Sequence, residues 1–143
     1  MILPDSLRGI GKQSFRGCVG LSSLVIPATV ESVGAHAFYG CPNLTLFLEA
    51  EETPDGFDER WNSAYRPAVF GVTAENGTVL SLVWTSERVR NLNDSNRLSD
   101  PLRAGFRFAG WSTTENGAVE YSAETLSKAP EGSTLFARYD TES

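Results

Sequence analysis

The sequence predicts a mainly β fold in two parts, the closing end of a repeat solenoid over residues 1–73 and a small second module over residues 74–143. Three observations predict it: a 23-residue self-similarity in the first third of the chain, its decay into charged sequence after residue 50, and a change of pattern beyond an Asn-Gly turn at residues 76 and 77. A chain of 143 residues suits one ordinary domain or two small ones, and 41% apolar against 21% charged residues favours a packed core over disorder.

At an offset of 23, Pro4 falls on Pro27, Gly11 on Gly34, Phe15 on Phe38, Gly17 on Gly40, Cys18 on Cys41 and Leu21 on Leu44. Leu7 with Val30, Ile10 with Val33 and Leu24 with Phe47 are conservative matches. The recurring positions are apolar or glycine and the others mostly polar, as expected for stacked coils with a continuous core and glycine at the corners. The offset then carries Phe38 onto Trp61 and Phe47 onto Phe70, while the glycine and cysteine positions disappear and Glu49, Glu51, Glu52, Asp55, Asp58, Glu59 and Arg60 enter. A degenerate, charged last unit seals the open end of such a stack, so residues 50–73 read as a cap. At the other end, Met1–Leu3 align with Leu24–Ile26, the close of a strand from a preceding unit. The expectation is therefore a piece of a longer exported protein, with an open first coil prone to self-association through its strand edge.

The pattern Pro-x-x-Leu/Val-x-x-Ile/Val-Gly-x-x-Ser/Ala-Phe-x-Gly-Cys-x-x-Leu resembles the BspA-type leucine-rich repeat, and residues 48–72, with Trp61-Asn62 and Ala68-Val69-Phe70-Gly71, resemble the cap that follows such repeats. The resemblance implies one short parallel strand per repeat, near Leu24–Ile26, Thr45–Leu48 and Ala68–Val72. It also implies bacterial or protozoan surface proteins engaged in adhesion and host contact.

Beyond Gly77 the pattern changes. Thr78–Thr85 is β-branched and aromatic and reads as a strand; Phe106, Phe108 and Trp111 mark a second, Val119–Tyr121 a short third and Thr134–Tyr139 a last. Asn116-Gly117 is a turn signal, and Ser122 is placed to cap a helical turn over Ala123–Lys128. The segment from Asp100 to Trp111 and the closing Thr134-Leu135-Phe136-Ala137-Arg138-Tyr139 resemble the Listeria–Bacteroides repeat, the internalin B-repeat module, over about residues 78–140. That resemblance implies a β-grasp-like α+β fold used in tandem between larger surface domains.

Composition excludes several functions. A net charge of −6 with scattered basic residues argues against nucleic acid, and no apolar run approaches the roughly 18 residues of a membrane span. Two cysteines are too few for a zinc site; their equivalent positions place them about 5 Å apart in successive coils, where two buried free thiols are expected and a disulfide is the alternative. His36, the one histidine, occupies a variable, solvent-facing position with no motif linking it to a nucleophile. Glu49, Glu51 and Glu52 read as a solvated cap edge in preference to an acid–base pair. No cofactor, metal or catalytic residue is expected. Cys18, Cys41, Phe15, Phe38, Trp61 and Trp111 are expected to be structural.

For binding, strand alternation places Leu24 and Ile26 inward, and Ser23 and Val25 outward. Carried forward at 23 residues it exposes an apolar patch of Val25, Leu46, Leu48 and Val69, which is either a partner site or a face covered by the cap loop (residues 50–66) or by the second module. Arg8, Gln13, Arg16, His36 and Tyr39 form a separate polar face. The expected function is a non-catalytic extracellular or cell-surface binding region, recognising host or neighbouring-cell proteins or glycans. The alternatives are a structural spacer and an accessory region of a surface enzyme. Replacing Phe38 with Ala is expected to cost about 3–5 kcal/mol in a denaturant titration, the loss for a fully buried aromatic; a loss under about 1 kcal/mol would contradict the core assignment.

Overall fold

A computed structural model describes residues 3–92 and 97–141. The expectation resting on Met1 and Ile2, an open first-coil edge, lies partly outside those residues. Among the described residues the fold is mainly β without an α-helix, in three sheets: β1 (Gly9–Ile10), β2 (Ser23–Ile26), β3 (Ser32–Val33), β4 (Thr45–Leu48), β5 (Ala68–Phe70), β6 (Thr73–Glu75), β7 (Thr78–Trp84), β8 (Val89–Arg90), β9 (Phe106–Ser112) and β10 (Ser133–Thr141).

Each repeat contributes two short strands. β1 pairs in parallel with β3, and β2, β4 and β5 form a parallel ladder. The corners between strands are also bonded layer to layer: the amides of Gln13, Phe15 and Gly17 donate to the carbonyls of Ala35, Ala37 and Tyr39 at 3.2, 2.8 and 2.8 Å. Such close stacking explains the recurrent glycine at one corner, where a Cβ on Gly34 would lie 2.4 Å from the Lys12 nitrogen. Between the layers runs an aromatic column. Phe15 stacks on Phe38 at 5.5 Å, Trp61 meets Phe38 edge-on at 6.3 Å, and Phe57 closes on Trp61 at 5.1 Å.

The repeat period is not constant. Gly9 stands opposite Ser32, an offset of 23, but Ser23 stands opposite Thr45 and Leu46 opposite Ala68, offsets of 22. One residue is lost between Leu44 and Thr45, and in a strand a one-residue slip turns every side chain to the other face. Leu46 and Leu48 therefore do not point outward as alternation at a fixed offset predicts. They lie beside Leu24 and Ile26, fully buried in the core of the stack, and Phe47 takes the outward place between Val25 and Val69.

The second half forms an antiparallel sheet in the order β6-β7-β10-β9. Asn76 and Gly77 both adopt left-handed φ (51° and 79°), and the stretch read as a boundary is a tight β6–β7 hairpin. The expected strand at Val119–Tyr121 reduces to one bridge between Tyr121 and Trp111, and the expected helical turn to a 3-10 turn at Leu126–Lys128. β8 leaves the second half altogether: it runs antiparallel to β5 as the fourth strand of the β2-β4-β5 sheet. The second core follows from this. Val25, Phe47, Val69 and Val72 pack with Val79, Leu82, Leu98, Trp111, Leu126 and Leu135, so the outer face of the parallel sheet is buried beneath the second half.

Candidate functional site

The first surface to consider is the outer face of the parallel sheet, because repeat proteins commonly bind through stacked strands. Here it is closed. Val25 is 6% exposed, Phe47 and Val69 0%. The two small polar residues on that face are also covered, Ser23 and Thr45, and Thr45 Oγ1 accepts a 2.8 Å hydrogen bond from the Ser99 amide. The Ser99 hydroxyl donates to the Asn43 carbonyl at 2.6 Å. The expected patch thus splits: Val25 and Val69 face the second half, while Leu46 and Leu48 face the core of the stack.

The structure does bring together four of the five polar-face residues. Gln13, Arg16, His36 and Tyr39 line a shallow cleft of about 330 Å³ on the corner face of the repeats. The repeat explains the convergence, because Gln13 and His36 share one repeat position and Arg16 and Tyr39 another, stacked one layer apart. Gln13 and His36 both hold left-handed φ, 60° and 57°, a conformation that glycine adopts without strain and that places their side chains alike. Tyr39 is 48% exposed, the Arg16 guanidinium lies 5.6 Å from its ring centroid, and the His36 ring meets it edge-on at 6.0 Å. Arg8 stands apart, 3.6 Å from Glu31.

One contact escaped sequence reasoning. His36 Nδ1 and Ser63 Oγ share a 2.8 Å hydrogen bond, although 27 residues separate them and no motif marks the pair. It is the first element of an activated serine, but among the described residues no carboxylate bonds the His36 ring to orient it as a base. The contact fixes the imidazole against Tyr39.

One cap carboxylate is engaged by backbone and two border an open cleft. Glu49 Oε1 accepts the Ala28 amide at 3.0 Å, and Glu51 and Glu52 line a mixed-charge cleft of about 550 Å³ with Glu87, Arg88 and Arg90. Arg66 reaches back to the Leu44 carbonyl at 3.0 Å, closing the last layer. Among the described residues no three His, Cys, Asp or Glu side chains are grouped to hold a metal ion, and no helix is long and apolar enough to cross a membrane.

Residues 1–53 match the family model for the BspA type leucine-rich repeat region (6 copies), so that segment is a leucine-rich repeat segment of this type. Such repeats are typical of bacterial surface proteins and generally non-catalytic. The match spans 53 of the 143 residues and leaves the second half unassigned. Nothing matches the chain among curated proteins or solved structures.

Both cysteines are free thiols. Cys41 is buried and its thiol donates to the Phe15 carbonyl at 3.1 Å; burial pushes its pKa up. Cys18 is half-buried. A thiol-exchange reagent at pH 8 is expected to titrate Cys18 first and to reach Cys41 at the rate of unfolding, because the thiolate is the reactive form. A Cys18→Ser chain reacting as fast as the parent, or a parent with no titratable thiol, would contradict this arrangement.

Proposed function

We propose that the chain is a non-catalytic extracellular binding region of a bacterial surface protein, working by surface complementarity in adhesion or recognition of proteins or glycans. In this reading residues 1–73 are the end of a leucine-rich solenoid with its cap, and residues 74–143 a β-grasp-like module of the internalin B-repeat kind. The observation that carries the proposal is the corner cleft of Gln13, Arg16, His36 and Tyr39. It gathers an exposed aromatic ring, a cation and hydrogen-bonding side chains on a rigid, layer-bonded backbone, while the sheet face that would otherwise serve is buried.

A structural spacer is the second reading, favoured by the junction itself. β8 completes the repeat sheet and the two halves share a core, which makes the joint stiff, as a presenting arm requires.

Binding of the chain to an array of extracellular-matrix proteins and glycans separates the two, with an Arg16→Gln/Tyr39→Ala double variant beside it. Both residues are exposed, so the variant is expected to fold. Saturable binding that the double variant loses is the expected result. Saturable binding retained by the double variant would move recognition away from the cleft, and no binding by the parent would leave the spacer.

A further inference from the structure

We infer that the corner cleft is a subsite for a linear acidic saccharide lying along the stacking axis; this rests on the binding reading above and names its ligand class. Charge comes first. The chain carries −6 overall, yet the cleft of Gln13, Arg16, His36 and Tyr39 holds the Arg16 guanidinium and, among the described residues, no carboxylate. An anionic group is therefore attracted locally, and a guanidinium fork is suited to holding a carboxylate by two hydrogen bonds.

The kind of anion follows from the backbone. An extended peptide docks most readily by adding to an open strand edge, but the corner amides of Gln13, Phe15 and Gly17 are consumed by carbonyls of the next layer. On that side of the coil these amides are already bonded. What the cleft offers is a half-exposed flat ring surrounded by hydrogen-bonding Gln, His and Arg side chains, the complement of a sugar with an apolar C–H face and a hydroxyl rim. Layers about 5 Å apart repeat the positions along one axis, a spacing close to the length of a pyranose ring, so one monosaccharide spans one layer. Gln13 and His36 keep left-handed backbones in which glycine would be less strained; polar side chains there fit a binding role.

The test is an amide-shift titration of the whole chain with trigalacturonate, and in parallel with neutral trigalactose and with triglutamate. The expected result is saturable shifts confined to Gln13, Arg16, His36, Tyr39 and their chain neighbours with trigalacturonate. Arg16→Gln should weaken that binding about fivefold, towards the level of the neutral sugar, and Tyr39→Ala should weaken both sugars. Equal binding of trigalactose, equal or tighter binding of triglutamate, or no cleft shift at millimolar trigalacturonate would overturn the assignment. Array binding that depends on the cleft, found together with any of those outcomes, would leave the binding reading standing and remove only the acidic saccharide.

Discussion

The parallel sheet of β2, β4 and β5 is apolar on both faces, and most of the remaining structure answers that constraint. Leu24, Ile26, Leu46, Leu48 and Phe70 fill one side; Val25, Phe47 and Val69 occupy the other. A parallel sheet of this kind is stable only when both sides are covered, and each large side chain withdrawn from water contributes about 1.5–3 kcal/mol. The folded-back coils cover the first side. The second half covers the other, and β8 adds the backbone bonds that β5 would otherwise offer to solvent.

This arrangement ties function to architecture. A sheet face used as a floor for a second core has no ligand-accessible surface left, so in the proposed binding reading recognition falls to the corners. There the side chains are arrayed by repeat position, Gln13 beside His36 and Arg16 beside Tyr39, on backbone already saturated by layer-to-layer hydrogen bonds. The same bonding leaves the corner little freedom to rearrange, which would limit the entropy lost on binding the proposed ligand.

Much of the strand layout was legible in the sequence because it follows from local pattern. The strand at Thr78–Trp84 comes from a β-branched and aromatic run, the one at Thr45–Leu48 is implied by the repeat resemblance, and Phe15, Phe38 and Trp61 form a column because the 23-residue period holds in that part of each coil. Facing was misread where the period breaks. The single residue missing between Leu44 and Thr45 has no compositional mark, since Leu46, Phe47 and Leu48 are all apolar and either register looks acceptable. β8 was invisible for a related reason. Val89 between Arg88 and Arg90 has no strand signal of its own, and it pairs only because β5 presents an edge. Of the corner site, the sequence supplied the residue types and their shared repeat positions, but the His36–Ser63 contact depends on how the cap folds back.

The joined core makes the two halves one body; closure of the sheet face follows from it, and so does the proposed placing of recognition at the corners. ¹⁵N relaxation of the whole chain tests it most directly, by comparing amides of β4, in the repeat sheet, with amides of β10, central in the second sheet. The shared core predicts one rotational correlation time for both sets. Two distinct values, each matching a particle of about half the mass, would mean that the halves tumble separately and that the face of Val25, Phe47 and Val69 is open to a partner.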